Sequence, residues 1–336
     1  MIEAWIRRVE ARQDLGQDEM STAIDQIMRG NWSDQQIASL LLALARKGEC
    51  VDELVGAALA MRGHMSAIPT SRTAVIDTCG TGGDGSRTFN ISTAAALVTA
   101  AAGVPVAKHG NRRVTSRTGS ADVLAELGVN IEAGLACVAD CLDELGICFC
   151  FAPLAHGSMQ RVAQVRRELG VRTIFNMLGP LTNPVGAQFQ LLGIAQPHWQ
   201  SLLAEALRRL GTRRALVVHG DDGLDEVTLA AATTVYEATP EGVRRFTWQP
   251  ADFGFDNQQL DSLEVDGPQA SAALIRRVLA GEAGAARDIV VANAAAALWT
   301  AGRAESPRAC AALAEAAIDS RQAAELLERL AERSYR

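Results

Sequence analysis

The 336-residue sequence lacks a long hydrophobic run. Its longest weakly polar stretch, Ile91 to Ala107, is interrupted by serine, threonine, glycine and proline, and it falls short of the roughly 20 apolar residues that a membrane-spanning helix needs. Charged side chains interrupt the first thirty residues from Glu3 to Arg12, so no apolar signal core is present there. We therefore expect a cytoplasmic protein with no membrane partner.

The sequence also lacks an excess of positive charge and an even set of cysteines. Its net charge of -7 argues against a general nucleic-acid-binding protein, because such binding requires a basic face. A phosphate ligand would have to meet a local cationic patch. The seven cysteines indicate a reducing compartment. The spacing of Cys137, Cys141, Cys148 and Cys150 matches no common zinc module, so we predict buried thiols.

The first part of the chain has the periodicity of helices. Apolar residues from Met20 to Met28 recur at helical spacing and predict one buried face. Ser33 and Gln36 form a capping box before the next apolar stripe, and Gly48 stands where that helix should end. A further helix is predicted over Val51 to Met61.

From residue 73 the pattern changes to short apolar runs, glycine-bearing loops and longer Ala/Leu-rich segments. The sequence therefore predicts an α/β fold. A small all-helical domain would span residues 1–72, and a larger α/β domain, residues 73–336, would hold a central, mainly parallel sheet flanked by helices. The predicted strands are Ala74 to Ile76, Val104 to Ala107, Ile147 to Phe151, Gln190 to Ala195 and Ala215 to His219.

The first predicted strand is followed by a glycine-rich loop, GTGGDG, over residues 80–85. It formally matches the dinucleotide-binding pattern, but no helix opens directly after it and no acidic residue stands near residue 103, so a Rossmann site is disfavoured. Glycine does allow a ligand to approach the backbone closely. The run from Asn90 to Thr93 then places hydrogen-bonding groups at a predicted helix start, where the free amides favour an anion.

A basic segment, KHGNRRVTS, covers residues 108–116 after the second predicted strand. Its cations, with Arg117 just beyond, alternate with glycine and hydroxyl residues. Charge combined with directional donors is what a diphosphate requires. Because loops after parallel strands meet at one edge of a sheet, we expect this segment and the glycine loop to converge.

The motifs GTGGDG, NIST and KHGNR, in this order and at this spacing, resemble those of the anthranilate phosphoribosyltransferases. The resemblance continues over nearly the whole chain, through the segments FAP at 151–153, VRRELG at 165–170, RTIFN at 172–176, LGPLTNP at 178–184 and GLDE at 223–226. It implies the fold of the nucleoside phosphorylase and phosphoribosyltransferase type. It also implies transfer of the phosphoribosyl group of 5-phosphoribosyl 1-diphosphate to the amine of anthranilate, giving N-(5-phosphoribosyl)anthranilate and diphosphate, in tryptophan biosynthesis.

The resemblance further implies which residues bind each component. Anthranilate would be held by Gly80, Asn111 and Arg166, and two magnesium ions per subunit by Ser92, Asp225 and Glu226. We assign no catalytic acid or base, because the aromatic amine is already neutral near pH 7. Phosphoribosyl diphosphate would be held by Gly80, Gly83, Asp84, Thr88, Asn90, Ile91, Ser92, Thr93, Lys108, His109, Gly110, Asn111, Arg112, Arg113, Val114, Thr115, Ser116 and Ser120.

By the same resemblance we expect a homodimer formed through the helical domain, with a segment near residues 160–185 returning to pack on that domain. Two alternatives remain open on the residues alone. One is a nucleic-acid-binding relative that uses Lys108, Arg112, Arg113 and Arg117 as a phosphate-backbone patch. The other is a nucleoside phosphorylase, or a phosphoribosyltransferase for another aromatic acceptor, on the same scaffold.

Overall fold

The computed structural model describes residues 2–112 and 119–336. The chain begins with four helices, and their boundaries follow local capping rules. Ser33 Oγ accepts the amide of Gln36 at 3.2 Å, and Gln36 Oε1 accepts the amide of Ser33 at 3.0 Å, so the predicted capping box is confirmed. Gly48 ends that helix at φ +87°, also as predicted. The four helices are α1 (Ile2–Glu10), α2 (Gln17–Met28), α3 (Asp34–Lys47) and α4 (Val51–His64).

A seven-stranded sheet forms the centre of the remaining chain, in the order β3-β2-β1-β4-β5-β6-β7. The first five strands in that order are parallel, whereas β6 and β7 continue the sheet in antiparallel pairing. The mainly parallel sheet is therefore confirmed. The strands are β1 (Ile76–Gly80), β2 (Val106–Gly110), β3 (Ile147–Phe151), β4 (Phe189–Gly193), β5 (Arg214–Gly220), β6 (Thr233–Thr239) and β7 (Gly242–Trp248).

The bounds of three predicted strands were wrong. Both β1 and β2 begin two residues later than predicted, and they extend to Gly80 and Gly110 through buried polar residues that interrupt the apolar pattern. The strand β4 ends at Gly193, two residues before the predicted end at Ala195. The hairpin of β6 and β7 was not predicted. Its outer strand carries exposed arginines at positions 244 and 245, which obscure its apolar pattern.

Twelve further α-helices connect and cover the sheet in the part of the chain that the structure describes. They are α5 (Ile91–Ala101), α6 (Ser120–Glu126), α7 (Leu135–Leu145), α8 (Ala152–Ala155), α9 (Gln160–Leu169), α10 (Phe175–Leu178), α11 (Gln200–Arg209), α12 (Pro250–Phe253), α13 (Pro268–Leu279), α14 (Ala285–Thr300), α15 (Pro307–Asp319) and α16 (Gln322–Arg333). Short 3-10 turns occur at Gly157–Met159, Gly179–Leu181, Pro197–Trp199 and Asp261–Leu263.

The sheet separates two hydrophobic cores. Successive residues of β5 point to opposite faces: Leu216 and Val218 join one core, while Ala215 and Val217 join the other. The first core contains α5 and α14, and the second contains the four N-terminal helices.

The segment that includes α9 and α10 packs with the N-terminal helices. Val162, Val165 and Phe175 belong to the same core as α2 and α3. Among the described residues, no helix is both long enough and apolar enough to cross a membrane. All seven cysteines are free; Cys141, Cys148 and Cys150 are buried as predicted, but Cys137 is only half-buried.

Candidate active site

A cavity of about 650 Å³ opens where β1 and β2 end. Its volume lies within the range typical of small-molecule sites. The predicted site residues on its wall are Gly80, Gly83, Asp84, Thr88, Asn90, Ile91, Ser92, Lys108, His109, Gly110, Asn111, Arg112, Ser120, Asp225 and Glu226. Outside the predicted set, the wall includes Cys79, Thr81, Gly82, Gly85, Ser86, Arg87, Phe89, Gly119 and Arg172.

The glycine loop starts inside the sheet. Gly80 is still paired with Gly193 of β4, and Gly82, Gly83 and Gly85 then adopt positive φ angles that favour glycine. The amide of Gly82 donates to Asp225 Oδ2 at 3.0 Å. This contact joins the loop to the acidic pair, by which we mean Asp225 and Glu226. Asp225 lies 143 positions further along the chain than Gly82.

The amino terminus of α5 forms a second part of the wall. Asn90 Oδ1 accepts the amide of Thr93 at 3.1 Å, so the predicted helix start is confirmed. Ser92 lines the cavity, and its Oγ accepts a hydrogen bond from Lys108 Nζ at 3.1 Å. Thr93 does not line the cavity, and its buried hydroxyl has no partner among the described residues.

The predicted cationic loop is in part a buried strand, which corrects the expectation for Lys108 and His109. Lys108 is only 4% exposed, and its Nζ donates to the carbonyl of Thr78 at 2.6 Å. Burial lowers the pKa of Lys108, while the nearby Asp77 carboxylate opposes that shift. Lys108 therefore presents its charge through a fixed ammonium group beside Ser92.

His109 is neutral. Burial and then the neighbouring His156 lower its pKa to about 3. Its Nδ1 lies 3.1 Å from the carbonyl of Gly179, and its ring meets that of His156 edge-on at 5.4 Å between centroids. His109 can thus offer a polar ring but no positive charge to a ligand.

The rest of the basic segment is only partly described. Arg112 forms ion pairs with Glu132 at 3.1 Å and with Asp122 at 3.5 Å. Asn111 Oδ1 accepts the amide of Arg112 at 2.8 Å. The predicted ligand-binding residues Arg113, Val114, Thr115 and Ser116, with Arg117 and Thr118, lie outside the described residues.

Three acidic residues, Asp84, Asp225 and Glu226, meet on the cavity wall beside the glycine loop. Burial, followed by repulsion from Asp84, raises the pKa of Asp225, and burial followed by repulsion from Asp225 raises the pKa of Glu226. Asp84 Oδ2 is buried and has no partner among the described residues. Lys108 and the backbone of Ser92 oppose the rise in the pKa of Glu226. Crowded carboxylate oxygens beside a serine hydroxyl are a donor set that fits magnesium.

Of two arginines near the cavity, the one predicted to bind anthranilate, Arg166, does not line the wall, whereas Arg172 does. Arg166, on α9, lies 5.6 Å from the Phe175 ring centroid, with Nη2 3.4 Å from Asn176 Oδ1, and it does not line the cavity. Burial lowers its pKa. Arg172 does line the cavity, but the sequence marked it only as part of the RTIFN motif.

Asp77 is a further residue that the sequence did not single out. It is completely buried in β1, and its Oδ1 accepts the amide of His109 at 3.0 Å. A carboxylate that directly follows the apolar run of residues 74–76 is the signal that could have found it.

The chain is similar to known proteins over almost its whole length. The helical bundle domain of a glycosyl transferase family matches residues 3–65, and the a/b domain of a glycosyl transferase family matches residues 72–324. The anthranilate phosphoribosyltransferase of Pelotomaculum thermopropionicum is 49% identical over 99% of this chain and 96% of its own length. That of Moorella thermoacetica is 49% identical over 98% of this chain and 97% of its own length.

Two solved structures have the same fold along almost the entire chain. The anthranilate phosphoribosyltransferase of Thermus thermophilus superposes with a TM-score of 0.93 at 42% identity, covering 99% of both chains. The Saccharomyces cerevisiae protein, in complex with PRPP and Mg, gives a TM-score of 0.91 at 25% identity over 99% of this chain and 98% of its own. By its family matches, its identity to these relatives and its fold, this chain belongs to the anthranilate phosphoribosyltransferase family.

Proposed function

We propose that the cavity transfers the phosphoribosyl group of 5-phosphoribosyl 1-diphosphate to the amine of anthranilate, as a step of tryptophan biosynthesis. The observation that carries this proposal is the convergence of three features on one cavity. These are the glycine loop, the amino terminus of α5 and the carboxylates of Asp225 and Glu226. The first two suit an anionic group, and the third suits a divalent cation.

Binding and positioning account for the chemistry. Breaking the bond between ribose and diphosphate builds positive charge on the sugar and negative charge on the leaving group. Lys108 and the amides at the start of α5 would face the leaving group. Bound magnesium would supply further positive charge to the diphosphate. The amine of anthranilate attacks in its neutral form, and the proton that it loses once the C–N bond has formed can pass to water or to the released diphosphate, so no side chain is given a proton-transfer role.

Ligand assignments follow from the same reasoning. Ser92, Asp225 and Glu226 would hold two magnesium ions per subunit. Asn111 and Gly80 would contact anthranilate, and Arg166 would pair with its carboxylate after a modest movement toward the cavity. The remaining predicted residues on the wall, with the backbone of Thr93 and the segment from Arg113 to Ser116, would hold phosphoribosyl diphosphate.

The assembly and organisation are part of the proposal. We expect a cytoplasmic homodimer formed through the helical domain of residues 1–72, with the α/β domain of residues 73–336 carrying most of the cavity. The contacts of α9 and α10 with the N-terminal helices support the expected returning segment near residues 160–185.

A nucleic-acid-binding role is disfavoured by the charges. Lys108 is buried and bonded to Thr78 and Ser92, and Arg112 is paired with acidic residues. These two cations therefore do not present a free patch to a phosphate backbone.

Turnover tests the proposal. Purified protein with magnesium and both substrates should consume anthranilate, seen as loss of its fluorescence, and omission of any one component should stop the loss. A salt-dependent DNA mobility shift serves as the counter-test and should show no binding. Folded protein that leaves anthranilate intact but shifts DNA would overturn the proposal.

A further inference from the structure

Arg172 connects two parts of the chain that are distant in sequence. It lies between α9 and α10, in the segment that packs on the N-terminal helices. Its Nη2 donates to the carbonyl of Gly83 at 3.0 Å, and its guanidinium lies 5.8 Å from the centroid of the Trp199 ring. Trp199 belongs to the turn that follows β4. The arginine therefore connects the glycine loop with the segment between α9 and α10 and with the turn that contains Trp199.

The glycine loop depends on such outside contacts. Gly82 and Gly83 have positive φ angles, and glycine retains more conformational freedom than any other residue. The amide of Gly82 is held by Asp225, and the carbonyl of Gly83 is held by Arg172. These two bonds hold adjacent residues of the loop, one through an amide and the other through a carbonyl.

The bond to Gly83 also fixes the following amide. In a planar trans peptide, the carbonyl and the amide N–H point in opposite directions. Turning the Gly83 carbonyl toward Arg172 therefore turns the N–H of Asp84 away from it. If Arg172 released this carbonyl, the peptide could rotate and both groups would change direction.

Arg172 also lies between two cavities. It lines the 650 Å³ cavity and a second one of about 480 Å³, which is walled by residues including Thr173, His198 and Trp199. Its side chain therefore forms part of the boundary of both cavities.

We propose that Arg172 is a positioning residue: its bond to Gly83 holds the glycine loop in the conformation that receives phosphoribosyl diphosphate. The choice of ligand rests on the proposed function, whereas the hold on the loop does not. The charge of Arg172 acts through the loop and not through the leaving group. Its loss should therefore weaken binding of phosphoribosyl diphosphate more than that of anthranilate.

The hold on the loop is measured first, without substrates. The amides of Thr81 and Gly82 are hydrogen-bonded to the Gly193 carbonyl at 2.9 Å and to Asp225 Oδ2 at 3.0 Å, so their exchange with solvent reports opening of the loop. Exchange of these two amides should be about tenfold faster in Arg172→Ala, because the loop loses a hydrogen bond from a charged donor. Arg172→Lys, which keeps one charged donor, should restore part of the protection. Arg213→Ala is the matched control, because Arg213 is an exposed arginine over the Phe189 ring at 5.3 Å and away from the cavity wall.

Kinetics then test the consequence for the ligand. The Michaelis constant for phosphoribosyl diphosphate should rise about tenfold in Arg172→Ala. That for anthranilate should change by much less, and Arg213→Ala should match the wild type. Unchanged exchange of the Thr81 and Gly82 amides, or equal rises in both Michaelis constants, would overturn the positioning role. A wild-type protein that does not consume anthranilate would refute the proposed function, while the exchange measurement would still decide whether Arg172 holds the loop.

Discussion

Gly193, the last residue of β4, packs directly against the loop that carries the acidic pair. A Cβ built on Gly193 would lie 1.7 Å from the carbonyl oxygen of Asp225 and 2.8 Å from its carbonyl carbon. Both contacts are with backbone, so no side-chain rotation can relieve them. Real Cβ atoms essentially never lie closer than 3.0 Å to another heavy atom. The Asp225 carbonyl oxygen would therefore have to move about 1.3 Å away from the new Cβ.

The consequence of Gly193→Ala follows from that displacement. Moving Asp225 by more than an ångström would stretch its 3.0 Å bond to the Gly82 amide and shift its carboxylate from the proposed metal position. A misplacement of this size costs about a hundredfold in rate. The overpacked contact should also lower the free energy of unfolding by about 1 to 3 kcal/mol.

Initial rates across a magnesium titration, together with a thermal melt, measure both effects. Gly63→Ala is the control: Gly63 lies on α4 with nothing within 4 Å of a built Cβ, so the alanine should fit and leave the rate unchanged. A folded Gly193→Ala variant with the wild-type rate and magnesium dependence would show that the position of Asp225 controls neither of them.

Three further predictions concern the ligands. Arg166→Ala should raise the Michaelis constant for anthranilate about tenfold to a hundredfold, because a charge-assisted pair with the anthranilate carboxylate is lost. The Michaelis constant for phosphoribosyl diphosphate should rise far less, and equal effects on both constants in steady-state kinetics would assign Arg166 a structural role. Asp225→Asn combined with Glu226→Gln should keep the melting temperature but abolish most activity, with partial recovery at high magnesium concentration; wild-type rates at every concentration would contradict metal binding. Burial and then repulsion from a neighbouring carboxylate, Asp84 for Asp225 and Asp225 for Glu226, raise the pKa of both carboxyls. Without metal, these carboxyls therefore stay protonated at pH values above the ordinary carboxyl pKa of about 4, and magnesium must displace the protons. The apparent affinity for magnesium should therefore rise as the pH passes through neutrality, by about tenfold per pH unit for each proton released; calorimetry that finds the same affinity and no proton release across this range would contradict the raised pKa values.

Local rules predicted the features that depend on a few neighbouring residues. The capping box of Ser33 and Gln36 and the cap at Asn90 each involve groups three positions apart, and both were confirmed. The extent of β1 was missed for a different reason. Asp77 and Thr78 are polar, yet both are buried, since their partners lie on other strands and loops that composition does not reveal.

The electrostatics of the cavity were also beyond the sequence. In the sequence, His109 belongs to a basic segment. In the structure, burial and then His156, 47 positions further along the chain, lower its pKa and so remove its charge. Arg172 reads as an ordinary arginine until its bond to Gly83, 89 positions earlier, is seen. Family motifs indicated which residues to consider, and the fold determined which of them reach the cavity.

Joining of a phosphoribosyl group to anthranilate in this cavity leaves a product of defined mass. Mass spectrometry of the products tests it most directly, with the protein offered anthranilate, 4-aminobenzoate and nicotinate in separate reactions with magnesium and 5-phosphoribosyl 1-diphosphate. We expect N-(5-phosphoribosyl)anthranilate and an equal amount of diphosphate in the first reaction, and little or no product in the other two. Phosphoribosylation of another acid in preference to anthranilate, or diphosphate release without a phosphoribosylated product, would contradict this expectation.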